Sequence, residues 1–277
     1  MSRLTMHACP RKRFPLQPKR EMRIHPAIVL AGLLCCNAHA DPAPTNMDAR
    51  AILDRVLAGR PARDFSLKAR LFVDRTHDPI PVEILAKNAP DETRTIYRSG
   101  KTEALIVQPV HGPVRFYVRG QGELTGAQRT ERLLGSQFTY YDLGLAFLRW
   151  PHVKLLGDER VRGRDCYAIE STAEGEPYAR VKIWIDKEYF ALLRAEAYNK
   201  DGSVVRRFAV TSFKKIGDLW VPHGMEASFV PPAQSLPSEE KSRLDIYEGD
   251  YGAELPAEWF ATDKFGAVAG GEKSATH

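Results

Sequence analysis

The chain has little with which to staple or anchor itself. It contains four cysteines among 277 residues, and Cys9, Cys35 and Cys36 all fall within the first forty positions. Cys166 stands alone in the rest, so that part can form no internal disulfide. Its setting, Cys166-Tyr167-Ala168-Ile169, reads as strand, where a thiol is expected to be buried and inert. No apolar run approaches the ~20 residues that a membrane-spanning helix needs. Positive charge is also scarcer than the net value of +5 suggests. Residues 1–40 hold seven Lys or Arg and one acidic residue, leaving 33 basic and 34 acidic side chains in the remainder. That balance supplies no general attraction to nucleic acid or to an anionic membrane surface.

Signatures of catalysis are missing as well. There is no Gly-x-Ser-x-Gly elbow for a serine nucleophile. His77, His111, His152 and His223 each lie near a proline, and none has a second ligand at metal-binding spacing, so no metal site is expected. Gly120-Gln121-Gly122 with Gly126 is one residue too long for a dinucleotide loop and lacks βαβ surroundings. It reads as a flexible hairpin or loop. No cofactor and no enzymatic activity are expected.

The first forty residues have an order of their own. Lys19, Arg20 and Arg23 precede the apolar run Ala27-Ile28-Val29-Leu30-Ala31-Gly32-Leu33-Leu34, and Ala38-His39-Ala40 then precedes Asp41-Pro42. A basic region, a short apolar core and a small-x-small site together predict a secretory signal peptide over 1–40. Gly32-Leu33-Leu34 lacks the small residues expected just ahead of a lipidated cysteine. The organisation expected is therefore a signal peptide over 1–40, one β domain over 41–266 and a small, polar, flexible tail over 267–277.

Within the domain, Asn46 or Thr45 is placed to cap a helix over 47–58, with Ile52, Leu53, Val56 and Leu57 on one face and Gly59 and Pro61 ending it. The period then changes to two. Leu67, Ala69, Leu71 and Val73 alternate with Ser66, Lys68, Arg70 and Phe72, which predicts a half-buried strand. Further strands are expected at about 82–86, 93–98, 104–108, 114–119, 165–171, 180–185, 192–199, 204–213, 220–229 and 243–247. Turn residues separate them, the strongest turn being Asn199-Lys200-Asp201-Gly202. Residues 231–241 read as a proline- and serine-rich loop, and Leu255–Phe260 as a closing helical turn. The strand pattern pauses over 126–150, which reads as helix broken at Gly135-Ser136. Its second half is apolar on nearly every side, so it must be covered on more than one side. An extensive antiparallel sheet with few helices must close, pack on a second sheet, or be covered.

Lys182-Ile183-Trp184-Ile185-Asp186, Leu192-Leu193-Arg194-Ala195-Glu196-Ala197-Tyr198, Asp201-Gly202 and Gly217-Asp218-Leu219-Trp220-Val221-Pro222 occur in that order. Together with Gly135-Ser136-Gln137-Phe138-Thr139-Tyr140-Tyr141-Asp142-Leu143, they resemble the outer-membrane lipoprotein-sorting protein family, the LolA-like periplasmic carriers of Gram-negative bacteria. The resemblance implies a mainly β fold, an incomplete antiparallel β-barrel (half-barrel) with a helical lid over an apolar cavity. It implies a periplasmic carrier that binds the acyl chains of a lipoprotein or lipid for transfer between inner and outer membranes. Its partners would be an inner-membrane exporter and an outer-membrane acceptor, with the carrier a monomer that binds no nucleic acid. The alternative is a periplasmic lipid-responsive sensor or regulator of envelope stress with the same fold. The implied cavity lining is Leu67, Leu71, Phe116, Val118, Val181, Ile183 and Ile185. The implied lid residues are Phe138, Tyr141, Leu145, Phe147 and Leu148. The family's functional arginine finds no counterpart at Arg70 or Arg94.

The leader makes a prediction of its own. Met22-Arg23-Ile24 begins a signal peptide of ordinary length, so translation from Met1 or from Met22 should yield the same mature N-terminus, Asp41. N-terminal sequencing of the exported protein checks this, and a lipidated Cys35 or Cys36 at the terminus would contradict it.

Overall fold

The computed structural model describes residues 47–217, 219–231 and 240–266. The expected signal peptide, the 267–277 tail and most of the 231–241 loop lie outside the described residues. The first element is α1 (Ala49–Ala58). Its cap is Asp48, not the expected Asn46 or Thr45, and its carboxylate accepts the Ala51 N–H at 2.7 Å. Ile52, Leu53 and Val56 form the buried stripe, and the Gly59 N–H closes the last turn on the Val56 carbonyl.

The remainder is built around one sheet. Strands β1 (Phe65–Phe72), β2 (Ile80–Asn88), β3 (Glu92–Ser99), β4 (Thr102–Pro109), β5 (Arg115–Val118) and β6 (Gly122–Glu123) form a meander. After an intervening segment come β7 (His152–Val161), β8 (Arg164–Thr172), β9 (Arg180–Asp186), β10 (Leu192–Tyr198), β11 (Val204–Ile216), β12 (Leu219–Phe229) and β13 (Glu240–Tyr251). The thirteen strands stand in the order β6-β5-β4-β3-β2-β1-β13-β12-β11-β10-β9-β8-β7, and each neighbouring pair is antiparallel. The chain thus enters at mid-sheet, runs out to the β6 edge, restarts at the β7 edge and returns until β13 pairs with β1. Among the described residues the two edges stay unpaired, leaving an open, mainly β half-barrel.

All the expected strands are present, and two more were not foreseen. β7 is an edge strand exposed along most of its length, and Lys154, Asp158, Glu159 and Arg160 give it no apolar alternation. Charge on an edge strand discourages pairing with other chains. The legible signal was its turn: Arg162 and Gly163 both have positive φ, as a two-residue hairpin loop requires. β6 is two residues long and pairs with β5, so the stretch from Gly120 to Gly126 read as a flexible hairpin or loop holds a hairpin.

The expected helix over 126–150 is instead a chain of short turns. They are 3-10 turns at Gly126–Thr130 and Leu133–Gly135, α2 at Tyr140–Gly144, and a 3-10 turn at Ala146–Arg149. Leu134 and Leu145 lie in the left-handed region at φ 51° and 48°, which an α-helix does not contain. Apolar character on every side marked burial correctly but not a continuous helix.

The sheet is also covered on its outer face. Leu85, Ile96, Leu105, Val107 and Tyr117 pack there against Phe260 and Phe265. These phenylalanines sit on 3-10 turns at Ala257–Phe260 and Thr262–Phe265. The turns are held by bonds from Lys87 to the Leu255 carbonyl (3.0 Å), Arg94 to Phe260 (2.8 Å) and Arg119 to Lys264 (3.0 Å). Phe260→Ala should therefore cost about 3–5 kcal/mol, read as a fall in the urea midpoint. Trp259→Ala, next to it but on the solvent side, should cost about 1 kcal/mol or less.

Candidate functional site

Because the two halves of the sheet end on opposite edges, the segment joining β6 to β7 has to cross from one edge to the other. It does so over the inner face, where it contributes Phe138, Tyr141, Leu145, Phe147 and Leu148 to the same apolar cluster as the sheet. The period of two in β1, β5 and β9 turns Leu67, Leu71, Phe116, Val118, Val181, Ile183 and Ile185 to that face. All twelve residues meet in one cluster, none more than 5 % exposed. The rings engage directly: Phe116 stacks on Tyr141 at 6.0 Å, and Tyr178 meets Tyr141 edge-on at 5.7 Å. Gly144 permits the closest approach, since a Cβ there would lie 2.4 Å from the Phe116 ring.

Short turns leave backbone groups unpaired, and inside a protein these must find partners. Side chains of the sheet and α1 supply them. Gln108 on β4 donates to the Gly144 carbonyl at 2.8 Å, and Ser171 on β8 to that of Phe147 at 2.9 Å. Arg50 on α1 donates to the carbonyls of Leu148 (2.9 Å) and Trp150 (3.2 Å). Ser242 on β13 accepts the Gln137 N–H at 2.8 Å and donates to the Val73 carbonyl at 2.6 Å. Beside them lies an ion pair between Arg206 of β11 and Asp142 of α2, both buried. Arg206 also donates to the Gln137 carbonyl. Burial opposes its charge, yet Asp142 and Tyr178 beside it hold the Arg206 guanidinium above its ordinary range. Asp142 in turn accepts the Thr139 N–H while Thr139 caps α2 reciprocally. At the far side Trp150 donates to the Tyr141 hydroxyl (3.0 Å), which donates to Glu176 (2.8 Å). Burial and Glu176 push that phenol well above its usual range.

Sequence reasoning found the apolar members of this arrangement and missed the polar ones. Gln108, Ser171, Arg206 and Ser242 join the crossing segment across sequence separations of 24 to 105, and nothing in a linear sequence marks such pairings. Thr139-x-x-Asp142 was legible as a capping box.

Two openings flank the crossing segment. One, of about 540 Å³, lies among 126–132, Thr139, 175–178, Val205 and Arg206, with Phe229 on its rim. The other, of about 610 Å³, lies between α1, loop 110–114, 146–152 and 173–176, and includes His111 and His152. Among the described residues no cluster of His, Cys, Asp and Glu could hold a metal ion, and no helix is long and apolar enough to cross a membrane.

Comparison with known proteins places this geometry. A family model described as "Uncharacterized protein" matches residues 120–266. No curated protein matches the sequence. Among solved structures, a DUF1329 family protein from Desulfovibrio piger shares 18% identity, with a TM-score of 0.65 over 78% of this chain and 97% of that one. A domain described as a candidate outer membrane lipoprotein-sorting protein, from Vibrio parahaemolyticus, shares 16% identity, with a TM-score of 0.61 over 73% and 90%. A LolA superfamily protein from Nitrosomonas europaea shares 22% identity, with a TM-score of 0.51 over 79% and 99%. The open, mainly β half-barrel implied by the resemblance is the architecture observed, with its inner face covered by short turns instead of a continuous helix.

The buried ion pair can be tested directly. Asp142→Asn leaves Arg206 charged and unpaired and should cost about 3–5 kcal/mol in urea unfolding. Adding Arg206→Met removes the orphaned charge, so the double variant should recover part of that loss.

Proposed function

We propose a periplasmic acyl-chain carrier role for this chain, which belongs to the family of uncharacterized proteins matched over residues 120–266. The observation that supports this most is how the inner face is covered. The cover has no strand ladder to the sheet beneath it. It rests on apolar contact, a handful of side-chain hydrogen bonds to its backbone and the Arg206–Asp142 ion pair. Such a cover can lift without unpairing the sheet.

Lifting the cover releases these bonds and separates the Arg206–Asp142 pair, a cost that apolar cargo must offset. Each buried methylene returns about 0.8 kcal/mol, and a twelve-carbon chain therefore offers roughly 10 kcal/mol. Cargo can hold the cover open, and without cargo the cover closes on the sheet. In this reading Leu67, Leu71, Phe116, Val118, Val181, Ile183 and Ile185 line the space that opens, and Phe138, Tyr141, Leu145, Phe147 and Leu148 belong to the lid. The protein works as a monomer and a binder rather than an enzyme, loaded by an inner-membrane exporter and relieved by an outer-membrane acceptor.

Purified, delipidated protein should bind a fluorescent fatty acid at micromolar concentration or below. Raising the salt concentration should barely change this, because apolar burial drives it. Absence of binding in a protein shown to be folded would overturn the carrier reading. Asp142→Asn, in which the lid is less firmly held, should load the probe faster in stopped-flow mixing, and an unchanged rate would count against the lid.

A further inference from the structure

Arg50 of α1 and Arg149 at the end of the crossing segment line one opening, and Arg60, just past α1 and outside that lining, is near enough to repel the Arg149 charge. Arg50 grips the carbonyls of Leu148 and Trp150, the two residues flanking Arg149. The Nε and Nη1 of Arg149 are buried and have no hydrogen-bond partner among the described residues, and neither has the buried Nη1 of Arg60. The one bond found for Arg60 is a long one, 3.4 Å, to the Pro90 carbonyl. Buried guanidinium nitrogens are ordinarily paired, because stripping their hydration without replacement is costly. Burial first, then repulsion from Arg60 and Arg50, lowers the Arg149 pKa to about 10, so it stays charged at neutral pH.

The acids nearby are engaged or turned to solvent. Asp54 pairs with Arg50 at 2.9 Å. Glu176 pairs with Arg129 at 3.3 Å and accepts the Tyr141 hydroxyl. Glu174, which lines the same opening, is exposed. The opening that includes Arg50 and Arg149 is walled on its apolar side by Leu57, Val114, Ala146 and Trp150.

We propose that Arg149 and Arg60, with Arg50 beside them, form an anion site for a phosphate group carried on an apolar chain. Phosphate fits better than carboxylate. Its several oxygens can accept from two guanidinium forks at once, whereas the two oxygens of a carboxylate are filled by one. The phosphate neutralises the repulsion among the arginines and pairs the orphaned nitrogens. The chain of the amphiphile then runs along Leu57, Ala146 and Trp150 toward the covered inner face. The head-group part of this inference rests on the carrier reading; the anion site itself does not.

Titration calorimetry on the exported full chain distinguishes the two, using dodecyl phosphate, uncharged dodecyl maltoside and inorganic phosphate below micellar concentrations. Dodecyl phosphate should bind about tenfold tighter than dodecyl maltoside, the worth of one charge-assisted bond. Arg149→Gln should abolish that preference and leave dodecyl maltoside binding unchanged. Arg60→Gln, at the partly exposed member, should reduce the preference and serves if Arg149→Gln does not fold. Equal affinities for the two amphiphiles, unmoved by either variant, would overturn the anion site and leave the carrier standing. Inorganic phosphate binding lost in the variants, with no amphiphile bound, would support the anion site and overturn both the head-group assignment and the carrier. No binding of any of the three would overturn both readings.

Discussion

A sheet whose two edges never meet governs everything else in this protein. Had β6 and β7 paired, the barrel would be closed and its interior would need only its own side chains. Because they do not, the chain must travel from one edge to the other, and the inner face must be covered by whatever segment makes that journey. Residues 124–151 do both at once. The cover is therefore a topological consequence of the strand order, and its apolar composition follows from where it has to lie.

The same constraint accounts for the irregular backbone of the cover. A straight helix cannot follow the inner face of a twisted sheet and still present apolar side chains downward along its whole length. Left-handed residues at Leu134 and Leu145 bend the path, and each bend leaves peptide groups that water cannot reach. Gln108, Ser171, Ser242 and Arg50 answer those groups one by one. Polar contacts of this kind are directional and individually weak, so they locate the cover without welding it. The Arg206–Asp142 pair adds orientation more than stability, since both charges are taken out of water to form it.

The arginine cluster differs from this pattern. Among the described residues Arg149 and Arg60 keep buried guanidinium nitrogens without partners, and unlike the orphaned Gln137 and Tyr178 oxygens nearby these groups carry charge. Leaving a buried cation unpaired costs more than leaving a neutral group so, and an anion at Arg149 would relieve that cost.

Much of the fold could be read from the linear sequence, because strand identity depends on a local period of two and on turn residues. Leu67 to Val73, Val181 to Ile185 and the Asn199–Gly202 turn each announce themselves within a few residues. The apolar residues of the inner face were legible for the same reason, and so was the burial of Phe138 through Leu148. β7 was not, because an exposed edge strand has no buried face to impose a pattern. Nor could the path of 126–150 be read, since an apolar stretch signals burial without saying what conformation the surroundings will accept. The pairings that hold the cover, Gln108 to Gly144 and Arg206 to Asp142 among them, join positions 36 and 64 residues apart, and the convergence of Arg50, Arg60 and Arg149 depends on α1 docking beside the end of the crossing segment. Local periodicity determined which residues turn inward; strand order, which no local pattern encodes, decided what covers them and which charges meet there.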